Sequence, residues 1–107
     1  MNKKQEALKQ FVEKVKNKYD DKIERIILFG SYARGEDKEE SDIDVLVITH
    51  GDRFEMQKNI SGIAVDILLK IGVYISAKSV STEEYDSMKK IKTGFYQNIA
   101  REGVTVE

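Results

Sequence analysis

The sequence contains no cysteine and no proline, and it has a single histidine. Without cysteine the chain forms no disulfide and no thiolate metal site. The absence of proline and of any Ser/Gly-rich linker argues against a second domain, so residues 1–107 are interpreted as a single domain. No apolar run approaches the roughly 20 residues of a membrane span, and none follows the N-terminus as a signal peptide would. We therefore expect a cytoplasmic protein without a membrane partner.

Neither sign of charge dominates the composition. The chain has 18 Lys and Arg against 19 Asp and Glu, a formal net charge of −1. That balance creates no global field that would attract a nucleic acid, so direct nucleic-acid binding is not expected. Hydrophobic residues make up 40% of the chain, which is enough for one core, while 35% charged residues indicate a heavily solvated surface.

Apolar periodicity divides the chain into alternating helices and strands. Helical patterns cover residues 3–19, 82–90 and 94–101, with a helical turn at 31–35. Strand patterns cover residues 23–29, 43–48 and 73–80, and residues 104–106 are interpreted as a short terminal strand. The sequence thus predicts a small α/β (α+β) domain. Its sheet would be mixed and mostly antiparallel, with three or four strands and the helices on one side.

Residues 56–71 fit two interpretations. Seven apolar positions fall on one helical face, and Gly72 follows as a C-terminal cap. Residues 63–69 alone also resemble a strand, with Ser61-Gly62 before it as a turn. The helix is favoured because its match spans more of the sequence.

Asp42 and Asp44 open the predicted second strand two residues apart, so both carboxylates leave the same face. Two carboxylates that close repel each other unless a proton or a cation lies between them. Mg²⁺ is usually held by one or two carboxylates together with substrate phosphates. Asp42 and Asp44 are therefore candidate metal ligands and catalytic residues, although a bare pair of this kind is also found as ordinary solvated aspartates at a strand end.

Gly30-Ser31 ends the first predicted strand and begins a helical turn. Glycine lets the backbone approach a ligand closely, and the N–H groups at a helix start favour an anion. Gly30, Ser31 and, further on, Arg34 are candidate nucleotide-binding residues. A tight turn with an N-cap serine, followed by a surface arginine, would give the same residues without any ligand.

The two signals gain weight together. If the strands at 23–29 and 43–48 are adjacent and antiparallel, the end of the first lies beside the start of the second. Ser31 would then lie near Asp42 and Asp44, as a metal-bound nucleoside triphosphate requires. No Gly-Lys-Ser/Thr follows a glycine-rich loop, so the chain is not a P-loop protein.

The central motif resembles that of the minimal nucleotidyltransferase family, which is related to kanamycin nucleotidyltransferase and, more distantly, to DNA polymerase β. The motif is Gly30-Ser31-x-Ala33-Arg34-Gly35, six residues, then Asp42-Ile43-Asp44, and residues 95–104 also resemble the end of small family members. The resemblance implies Mg²⁺-dependent transfer of AMP from ATP to an acceptor hydroxyl. It also implies an antitoxin that acts on a HEPN-type toxin protein, some family members modifying a tyrosine of that toxin.

Three points stay open at the level of sequence. The family pattern usually includes a third carboxylate on a later strand, for which Asp66 is the candidate here. On the favoured helix, however, Asp66 points toward solvent. The alternative functions are a catalytically weak or inactive antitoxin that neutralises its partner by binding, and an ordinary ligand-sensing domain. The acceptor, the base preference and the formation of a homo-oligomer are not determined.

Overall fold

The computed structural model describes residues 2–106. The helices in this range are α1 (Lys3–Tyr19), α2 (Gly30–Arg34), α3 (Arg53–Ile71), α4 (Thr82–Ile91) and α5 (Gly94–Glu102). The strands are β1 (Ile23–Phe29), β2 (Ile43–Thr49), β3 (Ile75–Ser81) and β4 (Val104–Thr105). Within the described residues, no helix combines the length and the apolar character that a membrane crossing needs.

All four strands form one sheet in the order β3-β2-β1-β4. β1 runs antiparallel to both β2 and β4, whereas β2 and β3 are parallel. The parallel pair is separated in the chain by α3, the kind of crossover that parallel strands require. The predicted mixed, mostly antiparallel sheet is confirmed, including its short terminal strand.

The segment with two interpretations is helical throughout. The side chain of Asp52 caps the start of α3 by accepting a hydrogen bond from the backbone N–H of Glu55 at 2.9 Å. At the other end Gly72 adopts the left-handed conformation with φ +83° and donates its N–H to the carbonyl of Leu68. The helix prediction is therefore confirmed. The helix is favoured physically because its apolar side chains share one buried face; the five buried residues are Met56, Ile60, Ile63, Ala64 and Ile67.

Helices cover both faces of the sheet, so the prediction that they lie on one side is wrong. α1 and α3 pack against one set of strand residues, including Ile26 and Val45; we call this side the α1/α3 face. α4 and α5 pack against the alternate set, including Ile27 and Leu46, which we call the α4/α5 face. The physical reason lies in β2, where every residue from Val45 to Thr49 is buried. A strand buried on both sides needs a covering layer on both sides.

The outer edge of β3 is capped by a side chain from α3. Gln57 accepts a hydrogen bond from the backbone N–H of Ser79 at 2.7 Å. Its amide nitrogen donates to the carbonyl of Ala77 at 3.0 Å and to the Ser61 hydroxyl at 2.9 Å. An edge strand otherwise presents unpaired backbone groups. Gln57 thus holds β3 in place beside β2, and with it the residues that β3 contributes to the α4/α5 face.

Replacing Gln57 by alanine is expected to lower the free energy of unfolding by about 1–3 kcal/mol, because backbone groups at the edge lose their partner. Lys58→Ala is the matched control, since Lys58 is an exposed neighbour on the same helix. Urea unfolding of both variants measures the difference. Equal stability of the two variants would contradict the capping role of Gln57.

Candidate active site

Asp42 and Asp44 lie where the chain enters β2. Asp44 is the second residue of the strand, and Asp42 lies immediately before it. Ile43 and Val45 face the α1/α3 core, so the intervening Asp44 is directed to the α4/α5 face. Asp42 lies close enough for its charge to act on Asp44. The structure therefore brings the two predicted carboxylates together.

The turn at Gly30 lies directly against the carboxylate of Asp44. Phe29, the last residue of β1, is the antiparallel partner of Asp44. A Cβ atom on Gly30 would lie 3.0 Å from the Asp44 Cγ and 3.1 Å from its Cβ, and would overlap Oδ2. With φ at +78°, Gly30 also has a backbone conformation that favours glycine. Ser31 follows as a half-buried residue of α2, so the glycine turn and the carboxylate pair are neighbours in space.

Asp44 lies in an environment that disfavours its charge. Burial of this half-exposed side chain raises the pKa of Asp44 above its ordinary value, and the negative charge of Asp42 raises it further. The guanidinium of Arg34 acts in the opposite direction and lowers the pKa of Asp44. A cation placed between the two carboxylates would relieve both unfavourable contributions.

Arg34 is already engaged by two carboxylates. Its Nη1 donates to Glu102 of α5 at 3.0 Å, and its Nε donates to Glu36 at 3.3 Å. A phosphate that binds Arg34 would have to compete with these partners or share the guanidinium with them. The structure places Arg34 near the carboxylate pair, and its role in binding nucleotide stays a prediction.

Asp66 does not complete the site. It is exposed on α3, where its charge acts on Lys14 of α1, and both helices lie on the α1/α3 face. Asp44 is directed to the opposite side of the sheet. No cluster of three or more His, Cys, Asp or Glu residues able to hold a metal ion occurs in residues 2–106. The carboxylate ligands that the described chain offers here are therefore Asp42 and Asp44.

A serine occupies the position beside Asp44 on the next strand. β2 and β3 are parallel, with Asp44 paired to Ser76. Paired residues on neighbouring strands project to the same face, so Ser76 lies on the α4/α5 face next to Asp44. Among the residues of β3, residue 76 is the one paired with Asp44, so a carboxylate there could join Asp42 and Asp44. The chain has a half-buried serine hydroxyl at that position instead.

Sequence reasoning did not identify Ser76 as part of this site. The alternation in residues 73–80 shows that Ser76 and Lys78 share a face, but not which face or which neighbour. Those facts follow from the parallel direction of β3 and from its register with β2. The one available signal was the alternation of Ser76 and Lys78 with the apolar residues Ile75 and Ala77.

A Gly30→Ala variant is expected to displace the Asp44 carboxylate, because the new methyl group would occupy its place. Gly35→Ala is the matched control, since Gly35 has a similar φ of +73° but nothing within 4 Å of an added Cβ. Both variants should lose about 1–2 kcal/mol of stability from backbone strain. In calorimetry we expect Gly30→Ala to lose binding of Mn²⁺ or of Mg²⁺-ATP and Gly35→Ala to keep it. Equal binding by both variants would contradict the packing of Gly30 against Asp44.

Curated proteins similar to this chain come from Methanocaldococcus jannaschii. "Putative protein adenylyltransferase MJ0604" is 43% identical over 99 residues, an alignment that covers 92% of this chain and 93% of that protein. "Putative protein adenylyltransferase MJ0141" is 36% identical over 102 residues, covering 94% of this chain and 96% of that protein.

Solved structures with a similar fold include a toxin–antitoxin crystal structure with AMP-PNP, with a TM-score of 0.54 at 21% identity. That alignment covers 100% of this chain and 73% of the other. A mutant of the toxin–antitoxin MntA-HpeT has a TM-score of 0.55 at 20% identity and covers 90% of this chain and 68% of the other. At these identities the likeness is one of fold. The family model described as nucleotidyltransferase domain matches residues 8–103. With the relatives above, that match shows that this chain belongs to the nucleotidyltransferase domain family.

Proposed function

We propose that this protein transfers AMP from ATP to a hydroxyl group on a partner protein. The observation that carries the proposal is the packing of Gly30 against the carboxylate of Asp44. It joins an anion-binding type of turn to a pair of carboxylates, which is the combination that a metal-bound nucleoside triphosphate needs. Relatives of similar length that are named as protein adenylyltransferases support the choice of acceptor.

The residues present fit a bound Mg²⁺. Asp42 and Asp44 supply oxygen ligands of the kind this cation prefers, and burial with like charge raises the pKa of Asp44 in its absence. When bound, the cation would neutralise phosphate charge and polarise the acceptor oxygen. Two carboxylates are sufficient for Mg²⁺ where phosphates and water provide the remaining ligands.

The reaction is a displacement at the α-phosphorus of ATP. The acceptor hydroxyl loses its proton to water as its oxygen forms a bond to that phosphorus. The bond to the bridging oxygen of the β-phosphate breaks, and pyrophosphate leaves. Gly30 and Ser31 would hold the β- and γ-phosphates through backbone N–H groups and the serine hydroxyl. Arg34 would contribute charge. Most of the rate enhancement would come from positioning and from charge stabilisation, as in other phosphoryl transfers.

The acceptor is proposed to be a residue of a toxin protein of the HEPN type. The domain uses its α4/α5 face for the carboxylates and offers no further domain in residues 2–106 to enclose a small acceptor. A hydroxyl on the surface of another protein needs no such enclosure, because that protein positions it. Similarity of fold to toxin–antitoxin structures, one of them with AMP-PNP, supports a toxin partner and a nucleotide substrate. The HEPN type of that toxin follows from the sequence motif alone.

A second candidate function is neutralisation of the toxin by binding, with little or no catalysis. Ser76 beside Asp44 favours it, because residues 2–106 bring no third carboxylate to the site. The involvement of Arg34 with Glu36 and Glu102 favours it as well. The two candidates differ in whether covalent transfer occurs.

Incubation with α-labelled ATP, Mg²⁺ and the product of the neighbouring gene tests the proposal. We expect label on the partner, and a rate reduced roughly a hundredfold or more in Asp42→Asn and Asp44→Asn because cation binding is lost. Asp66→Asn is the matched control and should transfer label normally. A stable complex with the partner and no label transfer would reject catalysis and support neutralisation by binding.

Ser76→Asp is expected to add a third carboxylate ligand beside Asp44. We expect tighter Mn²⁺ binding by about tenfold, since a further charged ligand strengthens a carboxylate site. Ser79→Asp is unsuitable as a comparison because Ser79 is buried, so exposed Ser87→Asp serves as the charge control. Calorimetric Mn²⁺ titration makes the comparison, and unchanged affinity in Ser76→Asp would show that residue 76 does not border the cation.

A further inference from the structure

Lys78 lies on the same face of the sheet as the carboxylate pair. It follows Ser76 by two residues in β3 and pairs with Leu46 of β2, whereas Ser76 pairs with Asp44. Because side chains alternate along a strand, Lys78 and Ser76 project to the same side. Lys78 is exposed. It therefore stands one pleat further along the sheet from the carboxylates, on their side.

The Phe95 ring of α5 contacts both Lys78 and Phe29, the residue that lies beside Asp44. Phe95 packs edge-on against Phe29, with ring centroids 5.5 Å apart, and Phe29 is the strand partner of Asp44. The Nζ of Lys78 lies 5.5 Å from the centroid of the same Phe95 ring. A cation over an aromatic face is attracted by the ring. Phe95 thus orients the ammonium group over the α4/α5 face instead of leaving it free to extend into solvent.

Lys78 differs from the arginines around it in its partners. Arg34 is bound by Glu36 and Glu102, and Arg53 pairs with Glu84 at 3.1 Å. The ion pairs found within the described part of the chain do not include Lys78. Its ammonium can accept a new anionic partner without breaking an existing ion pair.

A pocket of about 330 Å³ lies next to Lys78. Phe54, Val80, Met88 and Phe95 give it an apolar surface, and polar groups that include Arg53 and Gln57 also line it. Apolar and aromatic linings with few polar groups are typical of small-molecule sites. A nucleotide with its phosphates at Asp42 and Asp44 and its nucleoside toward this pocket would pass the Lys78 ammonium.

We propose that Lys78 binds a phosphate group of the nucleotide and is a substrate-contacting residue of this site. The inference rests on the proposed function, since it assumes that ATP is bound at the carboxylate pair. Lys78 extends from β3 and supplies a positive charge on the α4/α5 face, where Asp44 also lies. The contact would be to the α-phosphate, since Gly30 and Ser31 would hold the β- and γ-phosphates on the β1 side of Asp44. It would stabilise the bound triphosphate and the charge on the transferred group.

Calorimetric titration of the full chain with ATP and Mg²⁺ tests this assignment. Lys78→Ala is expected to weaken ATP binding about tenfold, the loss of one charge-assisted contact to phosphate. Lys78→Arg should stay close to the wild type because it keeps the charge. Lys58→Ala removes the same net charge from an exposed position of α3 that does not line the pocket, and it should bind like the wild type. Thermal unfolding of each variant confirms that it is folded.

Three outcomes would reject the assignment, and they are distinguishable. If the wild-type chain binds ATP and Lys78→Ala binds it as tightly as Lys58→Ala does, the role of Lys78 is rejected while the proposed function stands. If the wild-type chain does not bind ATP with Mg²⁺, the proposed function is rejected and the role of Lys78 with it. A loss in Lys78→Ala that Lys78→Arg does not restore would show a packing role over Phe95 instead of a phosphate contact.

Discussion

The antiparallel pairing of β1 with β2 is the constraint on which the candidate site depends. Its register places Phe29 opposite Asp44, so the next residue, Gly30, meets the Asp44 carboxylate. A shift by one residue would turn Asp44 to the α1/α3 face and bury it among apolar side chains. The register is held by apolar residues on both faces of β2, so core packing and site geometry depend on the same pairing.

The two faces of the sheet differ in how completely helices cover them. The larger core lies on the α1/α3 face, where two long helices cover the sheet. The α4/α5 face has a smaller core that leaves the start of β2 uncovered, and there Asp42 is exposed and Asp44 partly so. Solvent reaches Asp42 freely, whereas the partial burial of Asp44 disfavours its charge. The last elements of the chain, α5 and β4, close the site by supplying Phe95 and Glu102 to it and an edge to β1.

The helices and strands were predictable from the sequence because each apolar pattern is complete within its own segment, as in α3 with its cap at Gly72. The contact between Gly30 and Asp44 was also predictable, given adjacent antiparallel strands. The covering of both faces was not predicted, although the uninterrupted apolar residues of β2 already required it. Ser76 and Lys78 depend on the direction and register of β3, and the pairing of Arg34 with Glu102 joins residues 68 positions apart. Such relations arise from the packing of whole elements, and no local pattern contains them.

In the proposed function, the electrostatics of the site would make the cation and the nucleotide dependent on each other. Burial, and after it the like charge of Asp42, raises the pKa of Asp44. The two carboxylates provide only part of the ligand shell that Mg²⁺ requires. The triphosphate, for its part, meets a face where Arg34 is shared with Glu36 and Glu102. The cation would therefore gain oxygen ligands from the triphosphate, and the triphosphate would gain positive charge from the cation. Because coupling between two binding events is reciprocal, a cation that tightens nucleotide binding must itself be bound more tightly once the nucleotide is present. A site with a third carboxylate would bind the cation more independently. With Ser76 beside Asp44, occupancy of the site by the cation would follow the binding of the nucleotide.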